Sequence, residues 1–391
     1  MKCTILIAVF IVFTGTHALA QTNDSALMAE LLSSIAKDQV TETTNFYPGS
    51  FPSFRRCAGI PHNRVADNNI FYTAISLFTL RNLLPYLPEP ERRTAEQVIE
   101  KGQAAFPFYQ DKQGLPYYQF WPRGKGILPH SYVMHWFGMA SSGQDADDAV
   151  MCLMATGAND SSCMVLKNRM QSVSNLSQKK IRSTYKRYRD IPAYSTWLGS
   201  GMQPDFDLGV HCNLLYFVLE KKLPLTLHDS ASIHLIASML AHRDYIHTPI
   251  YISPYYCSRA ILMYHLARLM GKFEIAELKP FTVQLMNDIS DELNKTHEPM
   301  DKIILSTSLL RLGAATAPLS FSNLAEFINS RPDDFVFFQA RAAFSYPSPF
   351  KQIMLHWSYL RYNFFCPVWN KVLLLEYLVE KHRHPVTATL P

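Results

Sequence analysis

The chain predicts an all-α protein, a single α/α toroid of about a dozen antiparallel helices, and three observations carry that reading. Apolar residues recur three and four apart in Ile70-Phe71-Ala74-Leu77-Phe78, Leu214-Leu215-Phe217-Val218, Ile261-Leu262-Tyr264-Leu266 and Ile303-Ile304-Leu309-Leu310, the period of a helix face. Alternating strand patterns are hard to find. Short breakers punctuate the chain at near-regular intervals: Pro85 to Pro90, Pro204-Asp205, Thr248-Pro249, His297-Glu298-Pro299 and Arg331-Pro332-Asp333-Asp334. Helices joined by such short connections pack as antiparallel hairpins, and hairpins in this number close into a ring of inner and outer helices. An irregular helical bundle is the competing arrangement.

At the start of the chain, Lys2 precedes the apolar run Ile5 to Phe13 and the small residues Ala18-Leu19-Ala20. That is the charged start, short core and cleavage site of a secretory signal peptide. Cleavage after Ala20 makes residues 1–20 the leader and residues 21–391 the toroid domain, carried out of the cytosol to a secreted or periplasmic location. No later stretch of about 18 uninterrupted apolar residues follows, so stable membrane insertion is not expected. With 48% hydrophobic and 18% charged residues, the composition supplies a large core and argues against disorder. The formal net charge of +5 is spread thinly, its densest stretch running from Lys179 and Lys180 to Arg187 and Arg189. Nucleic-acid binding needs a concentrated basic face and has no support.

Outside the leader stand Cys57, Cys152, Cys163, Cys212, Cys257 and Cys366. Export permits disulfides. Cys152 and Cys163 would close a short hairpin loop and are the expected pair, whereas Cys212 and Cys257 lie in apolar helical patterns as buried thiols. No C-x-x-C pair occurs, so a cysteine zinc site is not expected, and Asp207 with His211 lacks a third ligand by spacing; no metal or cofactor is expected. Sequons at Asn23, Asn159, Asn175 and Asn294 are glycan acceptors if the host is a eukaryote.

Two longer loops, around residues 106–132 and 185–206, interrupt the helices. Residues 106–136 are rich in rings, including Tyr117, Tyr118, Phe120, Trp121 and Trp136, and residues 245–256 add Tyr245, Tyr251, Tyr255 and Tyr256. Aromatic loops on a rigid scaffold line binding sites or cap a core.

The densest candidate for chemistry is Asp145-Ala146-Asp147-Asp148, which opens the apolar helix Ala149 to Met154. Carboxylates there cap the helix and complement its dipole. Crowded and buried carboxyls also resist ionising together, so one of them keeps its proton to higher pH and becomes a proton donor. A second constellation, Asp205-Phe206-Asp207 to His211-Cys212-Asn213, places Asp207 and His211 on one helix face with Asn213 about half a turn further on. It is either a helix cap with a core histidine or a set that orients a general acid. No G-x-S-x-G, P-loop or dinucleotide-binding glycine pattern is present.

Asp145-Ala146-Asp147-Asp148 resembles the D-x-D-D motif of class II terpenoid cyclases, a family built from α/α toroids. The resemblance implies that Asp147 is the general acid protonating an alkene or epoxide. Asp145, Asp148 and His211 would support it. Asp207, Asn213, Trp121, Trp136, Tyr251, Tyr255 and Tyr256 would line the substrate, with aromatic faces stabilising carbocations. Export separates the protein from isoprenyl diphosphates and favours a neutral isoprenoid. Two other readings stand beside it: a secreted glycosidase or lyase pairing Asp147 with Asp207 across a cleft whose aromatic rings stack on a glycan, and a toroid that binds without catalysing.

Overall fold

The structure, a computed structural model, describes residues 24–60, 64–123, 144–199, 203–256, 258–319, 328, 335–341, 347 and 349–384. The signal-peptide reading of residues 1–20 lies outside them.

Fourteen helices are found among the described residues. They are α1 (residues 24–38), α2 (Phe71–Leu83), α3 (Glu89–Gly102), α4 (Ala146–Thr156), α5 (Asp160–Ser172), α6 (Leu208–Glu220) and α7 (Leu227–Ala241). The short α8 (Asp244–His247) and α9 (Pro249–Ile252) follow, then α10 (Arg259–Lys272), α11 (Thr282–Lys295), α12 (Pro299–Arg311), α13 (Phe350–Met354) and α14 (Pro367–Arg383). Their ends are written in the sequence. Asn159 caps α5 through the Ser162 N–H, Thr226 and Asp229 form a capping box on α7, and Gly157 closes α4 at φ +67°, a conformation glycine adopts without steric cost.

Six of these helices, α2, α4, α6, α10, α12 and α14, are buried nearly all round, as their almost unbroken apolar sequences require. Each packs on the next in that order, and α14 returns to pack on α2. The more exposed α3, α5, α7 and α11 lie against α2, α4, α6 and the α10–α12 pair. On α14, Lys371 and Lys381 bond Asp38 and Asp24 of α1, both at 2.7 Å. All six inner helices run the same way. Arg81 near the end of α2 bonds the Ala155 carbonyl near the end of α4, and Arg311 at the end of α12 pairs with Glu376 and Glu380 of α14. Lys272 at the end of α10 approaches Glu220 at the end of α6.

The all-α expectation needs correction. Six strands form among the described residues: β1 (Phe54–Cys57), β2 (Val65–Ala66), β3 (Tyr118–Gln119), β4 (Gln144–Asp145), β5 (Phe338–Arg341) and β6 (Arg361–Phe365). Four make an antiparallel sheet in the order β2-β1-β6-β5, and β3 pairs with β4. The strands are two to five residues long and take partners far along the chain, Phe54 facing Phe365. Too short to show a period-two pattern, they gave no local signal.

The Cys152–Cys163 pairing is also overturned. Both are buried free thiols, as are Cys57, Cys212 and Cys366, while Cys257 lies outside the described residues. The two sulfurs point apart: Cys163 Sγ lies against the Ala158 carbonyl, whereas Cys152 turns inward toward Tyr109 and Tyr118. Among the sequons, Asn175 is buried with its amide nitrogen donating to the Arg189 and Ile191 carbonyls, which leaves it no access for a glycan. No helix among the described residues is long and apolar enough to cross a membrane.

Candidate active site

The aspartates meet where the inner helices begin. Asp145 leaves β4 with extended backbone, and its carboxylate accepts the Asp147 N–H at 2.7 Å, so Asp145 is the cap of α4. That frees the next two carboxyls from capping, and both turn inward: Asp147 is 3% exposed and Asp148 1%. Asn213 of α6 donates its amide N–H to Asp147 Oδ1 at 2.7 Å, and the Tyr256 hydroxyl, just ahead of α10, is hydrogen-bonded to Oδ2. The Asn213 carbonyl oxygen in turn accepts from the Arg268 guanidinium of α10. Asp148 Oδ2 is buried with no hydrogen-bond partner among the described residues.

The second constellation divides in the same way. Asp207 caps α6 through the Val210 N–H at 3.1 Å, and its carboxylate also accepts the Ser253 hydroxyl at 2.6 Å and the Tyr255 N–H at 2.9 Å. Asp205 has no such company. Its Oδ2 takes a long bond of 3.4 Å from the Tyr255 hydroxyl, and its buried Oδ1 has no partner among the described residues. His211 does share a helix face with Asp207, but its ring bonds backbone instead of carboxylate. Nδ1 lies 2.7 Å from the Asp207 carbonyl and Nε2 3.0 Å from that of Tyr194. Burial lowers its pKa to about 4, so at neutral pH the ring is uncharged and ties α6 to the segment before it.

Burial raises the proton affinity of all five carboxyls. Asp147 is pushed up to about 7, the Tyr256 and Asn213 hydrogen bonds limiting the rise. Asp205 also rises to about 7, restrained by the Lys351 ammonium. Asp148 goes well above the ordinary range through burial and the charges of Asp145 and Asp147, and enclosure beside Asp147 does the same to Asp145. Asp207 rises too, but its four donors oppose the change. Carboxyls this close and this dry share protons and titrate as a group.

Aromatic rings enclose the cluster. Tyr256 packs against Phe71, Phe337, Phe338 and His265, and Tyr255 stacks on Phe338 and meets Trp197 edge-on. Phe338 of β5 and Phe364 of β6 reach the same group, so the sheet roofs the acid end of the inner helices. Gly209 makes room for it: a Cβ there would stand 2.4 Å from a Tyr256 ring carbon. Tyr256 can therefore lie across the start of α6 and reach Asp147.

Other expected residues fall elsewhere. Trp121 donates its indole N–H to Asp67, which is ion-paired with Arg55, and braces that network. Tyr251 packs on Tyr185 and under the Lys351 ammonium. Trp136 lies outside the described residues. Sequence reasoning missed Arg268, His265, Lys351 and the sheet aromatics. The run Phe335-Val336-Phe337-Phe338 could have signalled the last of these, whereas nothing local marks Lys351 or Arg268.

Among the described residues, no group of three or more His, Cys, Asp or Glu side chains is placed to hold a metal ion. No protein family, curated protein or solved structure matches the chain.

Proposed function

We propose that this is a secreted, terpene-cyclase-like enzyme that starts the cyclisation of a neutral isoprenoid by protonating it from Asp147. We read the closed circuit of six inner helices, with α1, α3, α5, α7 and α11 outside it, as an α/α toroid. The observation that carries the reading is the division of labour in Asp145-Ala146-Asp147-Asp148: Asp145 caps the helix, while Asp147 is buried and proton-retaining beside aromatic rings.

In the proposed step the Asp147 proton passes to one alkene carbon. The π pair becomes the new C–H bond, and a cation is left on the other carbon. The carboxylate that remains keeps its hydrogen bonds from Asn213 and Tyr256, and the aromatic faces favour the cation. Loss of a proton or capture of water ends the sequence. The glycosidase reading required Asp207 to face Asp147 as a working carboxylate, and Asp207 instead caps α6 and accepts from the backbone N–H groups of Val210 and Tyr255 and from Ser253.

The test incubates the purified mature protein with squalene-type isoprenoids and, separately, with polysaccharides, alongside Asp147→Asn. Cyclic product that falls by about 10²–10⁴-fold in the variant is the expected result. Sugar products would replace this reading with the carbohydrate one. No product from either class would leave a binding protein.

A further inference from the structure

Arg268 is a buried cation with no carboxylate within ion-pairing distance among the described residues. Its guanidinium sits among the Phe78, Tyr216 and Tyr264 rings and donates to the Asn213 carbonyl oxygen. A side-chain amide offers a donor at one end and an acceptor at the other, and the two can exchange places by a flip. Arginine can only donate, and it stays charged at every pH a protein survives. With Arg268 on one side, the Asn213 oxygen must face the guanidinium and the Asn213 nitrogen must face Asp147.

The consequence reaches the acid itself. An N–H pointing at Oδ1 leaves that oxygen nowhere to put a proton along the same line, so Oδ1 is the carbonyl oxygen of the neutral acid. The proton then sits on Oδ2, beside the Tyr256 hydroxyl and the Phe71, Phe337 and Phe338 rings that surround it.

We propose that Arg268 is a positioning residue that, through Asn213, selects Oδ2 as the oxygen from which Asp147 releases its proton. The inference rests on Asp147 being a proton carrier, as in the reading above. The groups facing Asp147 are Asp145 and Asp148 on its own helix, Asp207 and Cys212 from α6, Tyr256 ahead of α10, and His265 and Arg268 on α10. Of these Arg268 alone is a fixed positive charge, and it opposes the rise in Asp147's proton affinity.

The experiment is isotope-edited infrared spectroscopy of the substrate-free, full-length mature protein with ¹³C-labelled aspartate, followed from pH 4 to 9. The carboxylic C=O band missing in Asp147→Asn is assigned to Asp147. In the native protein that carbonyl accepts from Asn213, and Asn213→Leu should shift its band upward. Arg268→Met should produce the same shift and raise the titration midpoint by about one pH unit, whereas Arg268→Lys should retain the native band. If Arg268→Met does not fold, Arg268→Gln takes its place. Gln keeps a donor for Asn213 and removes the charge, so it should hold the band and raise the midpoint. A native band in Arg268→Met, whatever its midpoint, or in Arg268→Gln a native midpoint, would overturn the assignment to Arg268 while sparing Asp147's role as acid. The complete lack of a titrating Asp147 band would remove both.

Discussion

The two ends of the inner helices obey one electrostatic rule and differ in how they complete it. Helix dipoles favour acids at N-termini and bases at C-termini. Asp145, Asp147, Asp148 and Asp207 duly stand at the first, and Arg81, Lys272, Arg311 and Arg383 at the second. At the basic end three of the four cations also find carboxylates: Arg311 holds Glu376 and Glu380, Arg383 shares Glu380, and Lys272 approaches Glu220, while Arg81 bonds the Ala155 carbonyl. At the acid end no cation pairs directly with Asp147, Asp148 or Asp205 among the described ion pairs, and burial raises the proton affinity of all three. One end is balanced and stabilises the fold. The other stores an imbalance that a fold alone does not need, which is the ground for proposing it as the site.

The largest expected effect lies at the balanced end. Arg311→Ala leaves Glu376, 2% exposed, without its cation and leaves Glu380, 6% exposed, with Arg383 as its one remaining arginine. A loss of about 3–5 kcal/mol is expected, because removing one partner of a buried pair strands the other charge. Urea unfolding at pH 7 measures it. Asp147→Asn in the same assay should cost little or even stabilise, and an equal loss in both variants would erase the contrast between the ends.

That contrast was half legible in the sequence. The apolar periodicity of α2, α6, α10 and α12 was readable because each helix carries its own pattern. Asp145-Ala146-Asp147-Asp148 was readable because its members are adjacent. Which aspartate would cap and which would turn inward was not, since that depends on Asn213, Tyr256 and Arg268 arriving from three other positions along the chain. The sheet was hidden for the same reason: β1 and β6 are short and are joined by partners some three hundred residues apart. The Cys152–Cys163 expectation used spacing alone, and spacing does not say which way a helical side chain points.

Next in size is Gly209→Ala, which sharpens the acid end. Its new Cβ meets the Tyr256 ring, and a ring cannot yield as a flexible chain does. Overpacking of this kind costs about 1–3 kcal/mol, and it should also pull the Tyr256 hydroxyl from Asp147. Thermal unfolding reads the first effect and the Asp147 infrared titration the second. A stable variant with an unchanged titration would show that Tyr256 is not held by this contact.

A smaller effect follows the pH. Asp205 binds its proton more tightly in the folded chain, at about 7, than in the unfolded chain, near 4. Its contribution is therefore complete below pH 4 and is lost as pH rises toward 7. Asp145, Asp147, Asp148 and Asp207 slope the same way, while His211, lowered to about 4, and His265, also lowered, slope the other way, so the wild type alone does not isolate Asp205. The difference between Asp205→Asn and wild type removes what the two proteins share. It should move in the variant's favour by about 1.4 kcal/mol for each pH unit between 4 and 7, read by chemical denaturation at pH 5 and pH 7. A difference that does not change with pH would mean that Asp205 keeps an ordinary affinity.

The smallest effect tests whether the basic end owes its balance to buried pairs or to charge count. Lys272 and Glu220 stand 3.8 Å apart, with Lys272 half exposed, so solvent and salt screen their attraction. Lys272→Ala should change stability by no more than about 0.5 kcal/mol, and by less in 1 M salt. Arg311 and Lys272 carry the same charge at the same end of neighbouring helices. If the two variants lose comparable stability, the dipole interaction common to both governs that end and the buried carboxylates do not. A difference of severalfold between them places the balance in the Glu376 and Glu380 pairing, and the acid end then differs from it by lacking such a partner.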